Sequence, residues 1–474
     1  MAEILTPDIC VIGAGSGGLS VAAIAAAFGV SVVLIEKGKM GGDCLNYGCV
    51  PSKALIATAK SADAIRHANQ YGIHVPEPVV DYQQVHDYVH SVIGAIAPND
   101  SVERFTSMGV HVIEGAAKFV NPRMVEVNGI RIRARRFVVA TGSRAAIPPI
   151  KGLEDVPYLT NETIFERTEA PDHLIIIGGG PIGMEMAQAH RRLGAEVTVV
   201  EAFKALAKDD PELTEIVLDK LKDDGIVIRE EVKIARVEKS GAGIAVVLDK
   251  GKGEEEVIVG SHLLVAAGRK PNVAGLGLKE GRIRFDKAIK VSKSLRTSNR
   301  RVYAIGDVSG SLQFTHMANY HAGLVIRAIL FRLPVKENRH IIPWATYTDP
   351  ELAHVGFTEE QARKKYRGIK VLRWPYAEND RAQTEGKTSG LIKVVVNRRG
   401  KILGASIVGY QASEMMNMWS LAISQKMNIS AISGYVSPYP TVTEISKRAA
   451  VTHLSGSAQN KWVQRVIKFL RRFD

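Results

Sequence analysis

Short apolar runs recur along the chain, each closed by a glycine-rich turn and followed by a helix-length stretch. Ile9-Cys10-Val11-Ile12 is the first. It carries no alternating polar position, which predicts a strand buried on both faces, as in a parallel sheet. Gly13, Gly15 and Gly18 follow directly. The apolar stretch from Gly18 to Ile35 is nearly long enough to span a membrane. Its glycine opening, its break at Phe28-Gly29 and its closing Glu36 instead predict a buried helix followed by a strand, Ser31 to Ile35. The same order returns later. Leu174 to Ile177 reads as a strand, Gly178, Gly180 and Gly183 follow, and a further strand, Glu196 to Val200, ends at Glu201. Three more strand–turn units run from Phe137 into Thr141, Gly142 and Ser143, from Leu263 into Gly268, and from Val302 into Gly306-Asp307. The pattern changes at Ile341-Ile342-Pro343-Trp344. Beyond it, Gly390 to Val396 and Lys401 to Gly409 predict strands that precede helices.

Both glycine triplets fit G-x-G-x-x-G, and each acid lies 18 residues after the third glycine. The first glycine permits a tight turn, the second lets a pyrophosphate approach the backbone, and the third allows close helix–strand packing. Phosphate then sits at the helix N-terminus. Glu36 and Glu201 stand where a carboxylate accepts hydrogen bonds from a ribose diol. Two copies in full strand–helix–strand–acid context predict that the chain binds two dinucleotides. At the second site Glu201 favours NAD, because a carboxylate repels the extra phosphate of NADP. Lys204, three residues on, is the nearest charge able to soften that repulsion. The expected fold is α/β, with two Rossmann-like dinucleotide-binding domains and a C-terminal α+β domain. The first dinucleotide domain is discontinuous, residues 1–148 and 273–342, with the second inserted at 149–272 and the third at 343–474.

With 474 residues the chain is too long for one compact core and suits three domains. Its 46% hydrophobic and 23% charged residues are those of a globular protein. Met1-Ala2-Glu3-Ile4 lacks the charge pattern of a secretory leader. Three cysteines build no structural disulfide framework, and Cys10, inside the first strand, reads as a small core residue. A cytoplasmic setting would keep a redox-active thiol pair available for turnover. The net charge is +13. Part of it lies in Lys461, Arg465, Lys468, Arg471 and Arg472, with Trp462, Val463, Val466, Ile467, Leu470 and Phe473 at helical spacing between them. This basic amphipathic helix would either lie on an anionic membrane surface or dock on its own dimer, the second being preferred. No nucleic-acid motif accompanies the charge.

The candidate chemistry is the run Gly41-Gly42-Asp43-Cys44-Leu45-Asn46-Tyr47-Gly48-Cys49-Val50-Pro51-Ser52-Lys53. Standing alone, such a pair could be two thiols that never meet. Beside a complete dinucleotide fingerprint it points to two-electron exchange between a cofactor and sulfur. Together with Ala140 to Ser143, Gly268 to Asn272, Ala304 to Val308 and Tyr347-Thr348-Asp349-Pro350-Glu351, the run resembles the pyridine nucleotide–disulfide oxidoreductases over nearly the whole chain. That group contains dihydrolipoamide dehydrogenase, glutathione reductase and mercuric reductase. The resemblance implies FAD in the first site, NAD(P)H in the second and a homodimer formed through the C-terminal domain. It implies that Cys49 lies against the flavin as charge-transfer partner and that Cys44 is the interchange thiol of a redox-active disulfide. Lys53 would sit near the flavin and pair with Glu185. Gly115 and His316 would line the FAD, and Asp307 would hold its ribityl chain. No residue is assigned to a resident metal.

The chain also departs from this pattern. Disulfide-reducing members carry a histidine in an H-P-x-x-x-E arrangement supplied by the partner subunit. Here the matching run is Tyr439-Pro440-Thr441-Val442-Thr443-Glu444. A phenol titrates near pH 10 and is a poor base for a thiol. His453 does not match the family position and reads as structural. Tyrosine at this position resembles mercuric reductase, yet no cysteine follows Cys49 to hand a metal inward, and no metal-binding domain is expected before the strand that starts at Asp8. The expected activity is an FAD-dependent NAD(P)H oxidoreductase that passes electrons through Cys44 and Cys49 to an acceptor, a small-molecule disulfide or another oxidant. The rivals are a flavin-level quinone or oxygen reductase, and a non-enzymatic redox sensor or scaffold.

Overall fold

The computed structural model describes residues 4–251, 253–458 and 461–473; Met1, Ala2 and Glu3, part of the expectation of no leader, lie outside the described residues. The fold is α/β and forms two compact units. The first runs to Gly179 and takes in Ala189–Ala202 and Glu231–Glu337. The second comprises Gly180–Gln188, Phe203–Glu230 and the chain from Asn338 on.

In the first unit a five-stranded sheet has the order Val302–Ala304, Arg136–Val139, Ile9–Ile12, Val32–Glu36, Val110–Glu114. Every neighbouring pair is parallel. Both faces are covered, so the strands read as unbroken apolar runs. Val11, Leu34 and Val138 pack on one side with Leu19, Val21 and Val325 from the helices Ser16–Ala27 and Thr315–Leu330. Cys10, Val33 and Phe137 pack on the other side with Phe119, Val125 and Ile132. The stretch from Gly18 to Ile35 is thus helix and strand, broken after Ala27 where Phe28 caps the helix. No helix of the described residues is long and apolar enough to cross a membrane.

A second parallel arrangement lies in the same unit. His173–Ile177 pairs with Glu196–Val200 on one side and His262–Val265 on the other. An antiparallel sheet, Lys233–Ser240, Gly243–Gly251 and Glu254–Gly260, shares its core through Val237, Val246 and Leu248, packed with Ile175 and Leu263. The strand Val302–Ala304 completes the first sheet only after this segment has intervened in the chain.

The second unit is built on a five-stranded antiparallel sheet, in the order Trp344–Thr346, Glu351–Gly356, Ile402–Gly409, Leu391–Asn397, Ile369–Pro375. Ile392, Ile407 and Tyr376 pack against Met416 and Trp419 of the helix Ala412–Ser424 and Ile445 of the helix Glu444–Ala458. Trp419 is fully buried, and its indole N–H donates to Ser446 Oγ at 3.1 Å, so its one polar atom is satisfied.

Candidate redox site

The first fingerprint turn joins the strand Ile9–Ile12 to the helix Ser16–Ala27, and no side chain caps the helix. Its first-turn N–H groups therefore remain available to an anion. Glu36 closes the neighbouring strand and clasps the turn. Its Oε2 accepts the Ala14 N–H at 2.6 Å and its Oε1 the Gly38 N–H at 2.7 Å. The Gly115 N–H donates to the Glu36 carbonyl at 2.7 Å.

The second fingerprint repeats this geometry. Glu201 Oε2 accepts the Gly179 N–H at 2.6 Å, across the same span of 22 residues as Ala14 to Glu36. A Cβ on Gly13 would run into the Ala140 carbonyl oxygen, and one on Gly178 into that of Ala266. Gly180 has open space where a side chain would stand, and Gly183 is buried. Two glycine turns, each with a carboxylate accepting a backbone N–H of the turn, fit two dinucleotides.

The thiol segment packs directly on the first turn. Gly15 and Gly41 form a parallel bridge, and a Cβ on Gly42 would lie 2.8 Å from Gly15 Cα. Gly41 and Gly42 have φ of +83° and +60°, a left-handed bend that glycine adopts without strain. The short helix Gly42–Asn46 then carries Cys44, and Cys49 opens the helix Cys49–Arg66. Asn46 Nδ2 donates to the Met40 and Gly42 carbonyls at 2.9 and 2.8 Å, which fixes the loop.

Both sulfurs are present as thiols, Cys44 half-buried and Cys49 exposed. They hydrogen-bond to each other, and Cys49 Sγ lies 3.6 Å from Thr315 Oγ1. The hydrogen bond with Cys49, then burial, push the Cys44 thiol well up. Cys49 at a helix N-terminus is the better placed of the two to carry negative charge. Burial likewise raises the Cys10 thiol, which is fully enclosed in its strand as a core residue. Lys53, one turn into the helix, has its Nζ 3.3 Å from Ser52 Oγ.

Arg269 is a centre that the sequence reading passed over. It follows Gly268, whose carbonyl accepts the Ala146 N–H at 2.9 Å. Arg269 Nε donates to Ser143 Oγ at 2.7 Å and Nη2 to the Ser143 carbonyl at 3.1 Å. Its Nη2 also stands 3.0 Å from Asp43 Oδ2, and its Nε 3.9 Å from Asp307 Oδ2. Ser143 Oγ donates to Asp307 at 2.5 Å. Burial raises the Asp307 carboxyl, opposed by Ser143 and Arg269 and reinforced by Asp43. Asn161 Nδ2 adds bonds to Asp43 Oδ1 at 3.0 Å and the Tyr47 carbonyl at 3.2 Å. One guanidinium thus ties the thiol segment to both strand–turn units. Thr141 Oγ1 donates to the Asn272 carbonyl at 2.9 Å, the Asn272 amide returns a bond of 2.9 Å to the Thr141 carbonyl, and the Asn272 N–H bonds the Gly142 carbonyl at 3.0 Å. His316 stacks on Phe314, ring centroids 5.2 Å apart.

The remaining named residues lie in the second unit. Glu185, nearly buried, accepts the Tyr347 N–H at 3.0 Å. Tyr439 donates its hydroxyl proton to Asp380 Oδ2 at 2.9 Å, a partner sequence reasoning did not name. That bond raises the phenol pKa, and Glu444 acts in the same direction. Glu444 itself stands 3.7 Å from Arg448. Burial lowers the pKa of the His453 ring. Back in the first unit, His86, His90 and Glu166 bring ligand-type atoms within 4.8 Å of one another, and no sequence motif announced them.

Two dinucleotide fingerprints, with a thiol pair locked onto the first turn, define an oxidoreductase that relays electron pairs between bound cofactors and sulfur. Known proteins agree. The description "Pyridine nucleotide-disulphide oxidoreductase" matches residues 7–322, and its dimerisation domain matches residues 342–450. A mercuric reductase of Bacillus cereus is 34% identical over 94% of this chain and 71% of its own length. A dihydrolipoyl dehydrogenase of Thermus scotoductus is 34% identical over 94% of this chain and 97% of its own. Among solved structures, the HOCl-induced flavoprotein disulfide reductase RclA from Escherichia coli, as its Cu(II) complex, superposes with a TM-score of 0.84 at 27% identity, covering 93% of this chain and 98% of that one. The chain belongs to the pyridine nucleotide–disulphide oxidoreductase family. It is an FAD-dependent NAD(P)H oxidoreductase of the disulfide reductase type, and the matched dimerisation domain makes the homodimer its assembly.

Proposed function

We propose that this enzyme uses NADH in preference to NADPH to reduce a small-molecule disulfide, or another two-electron acceptor open to thiolate attack, through Cys44 and Cys49. The observation that carries the reading is the hydrogen-bonded thiol pair seated on the first dinucleotide turn. When bound, FAD and NAD(P)H supply hydride and electron-pair transfer. The chain's own part begins with the dithiol. Cys44 loses its proton and attacks one sulfur of the acceptor disulfide, bonding to it, while the acceptor's other sulfur leaves as a thiolate and takes up a proton. Cys49 then attacks Cys44 Sγ in the mixed disulfide, releases the second acceptor thiol and closes the Cys44–Cys49 disulfide. Two electrons and two protons leave the pair for each disulfide reduced.

Gly13, Gly15, Gly18, Glu36, Gly115, Thr141, Gly142, Ser143, Lys53, Asp307 and His316 are assigned to FAD. Gly178, Gly180, Gly183, Glu185, Glu201 and Gly268 are assigned to the nicotinamide nucleotide. Glu201 excludes a 2′-phosphate by charge. Tyr439 and Glu444 are assigned to proton handling for the pair in the dimer. A thiol whose pKa is driven up needs such help, and a phenol bonded to Asp380 is a weak source of it. A cytoplasmic setting suits a pair that must be reduced in each cycle, and contact with a membrane falls to the C-terminal basic helix.

An acceptor screen tests the proposal: lipoamide, glutathione disulfide, mercuric ion and a soluble quinone, each with wild-type enzyme and with Cys44→Ser. Turnover of a disulfide or of mercuric ion that disappears in Cys44→Ser is the expected result. Quinone turnover that survives the substitution, with no activity on the other acceptors, would place the chemistry at the flavin and overturn the assignment of Cys44.

A further inference from the structure

The helix Lys461–Leu470 is a chemically distinctive element that the redox chemistry does not use. At about 100° per residue, Lys461, Gln464, Arg465, Lys468, Arg471 and Arg472 fall within about 120° of the helical wheel continued to Phe473. Trp462, Val463, Val466, Ile467, Phe469, Leu470 and Phe473 fill about 160° opposite, with no residue on the wrong side. Residues 461–473 contain five cations and no carboxylate.

The apolar face is not folded into the chain's own core. No residue of the helix is buried, and Trp462, Leu470 and Phe473 are 70%, 57% and 74% exposed. Such a face beside five cations would be a solubility liability unless something covers it. A second copy of the chain is the first cover to consider, and two observations argue against it. The match to the family's dimerisation domain ends at residue 450, before the helix begins. A copy of the same helix would also bring five cations against five. An anionic lipid surface answers both halves of the wheel. Acyl chains take the apolar face, headgroup phosphates the cations, and tryptophan is suited to the boundary between them. The length is insufficient to cross a bilayer, so the helix would lie in its plane.

We infer that the helix Lys461–Leu470 is a peripheral anchor that docks the enzyme on anionic lipid, independently of the acceptor it reduces.

The test is flotation of the full-length holoenzyme with vesicles of phosphatidylcholine alone or with phosphatidylglycerol added. Wild type should bind the anionic vesicles, release them as salt rises, and ignore the neutral ones. Each cation near the surface is worth about a five-fold change in affinity, so reversing Arg465→Glu, Lys468→Glu and Arg472→Glu together should weaken binding by at least about 100-fold. Reversing Lys279→Glu, Lys287→Glu and Lys293→Glu, exposed elsewhere, changes net charge equally and should leave binding near wild type. Trp462 emission should shift to the blue on anionic vesicles, and Trp462→Phe should remove the shift. Equal loss from both triple variants would reduce the effect to net charge and overturn the anchor. So would absent vesicle binding together with dissociation of the dimer by the helix reversals, which would make the helix a subunit contact. Activity on the acceptor is read in parallel without vesicles and should not change in either triple variant.

Discussion

Replacing Arg269 by methionine removes the one cation shared by Asp43, Ser143 and Asp307 while keeping most of the side-chain volume. The guanidinium is 13% exposed and the Asp307 side chain 19%, so the carboxylate left behind cannot simply rehydrate. Breaking a buried pair by deleting one partner costs about 3–5 kcal/mol. Asp43 keeps 34% of its side chain in water and recovers part of its solvation, which argues for the lower end, about 3 kcal/mol. The pH dependence carries a sign. Asp307 already sits above its ordinary range because burial outweighs its partners, and losing Arg269 raises it further. A raised carboxyl destabilises the fold while it is ionised, and that penalty is relieved as the pH falls through its folded value. The gap between wild type and variant should therefore be full near neutrality and shrink on acidification. Urea unfolding of the holoenzyme at about pH 7.5 and about pH 5 measures both quantities. Arg269→Lys should recover part of the loss, since a point charge can still face Asp307 but cannot fork between Ser143 and Asp43. A deficit below about 1 kcal/mol, or one that stays constant with pH, would refute the reasoning.

Glu201→Ala should narrow the preference for NADH over NADPH, read as the ratio of kcat/KM values; a wild-type enzyme several-fold better with NADPH would show that a cation dominates the site instead. Tyr439→His should raise lipoamide reduction by at most about 10²-fold, because an imidazole titrates near neutrality and Asp380 and Glu444 stand by to orient it. Flavin reduction by NADH should not change in that variant. Wild-type lipoamide turnover already near that of the histidine-bearing relatives would mean another group supplies the proton.

The parts of the site legible in the sequence are those whose logic is local. Each glycine turn and its acid lie within one strand–helix–strand unit, so spacing alone places Ala14 beside Glu36 and Gly179 beside Glu201. The buried parallel strands announced themselves by lacking alternation. Arg269 was not legible as a hub because its partners lie 226 and 126 residues away, at Asp43 and Ser143, and no periodicity links them. The available signal was modest: Arg269 stands inside a quoted strand–turn run, and Asp43 between the doubled glycine and the first thiol. Asp380 escaped for the same reason, 59 residues from Tyr439 with nothing between to couple them. The C-terminal helix was readable as amphipathic. Its solvent-facing apolar side was not, because periodicity reports that a face exists and says nothing of what covers it.

The contact between Gly15 and Gly42 has a consequence for how such enzymes can change. Gly15 occupies the space that a side chain on Gly42 would need, although 27 positions separate them in the chain. Gly42 cannot take a side chain unless Gly15 retreats, and Gly15 has no side chain to move aside. The cofactor turn and the thiol loop are therefore inherited as one piece. A designer wishing to graft this dithiol onto another nucleotide-binding protein would have to carry the turn with it, and a lineage that loses its cysteines should keep the doubled glycine long after the sulfur chemistry has gone.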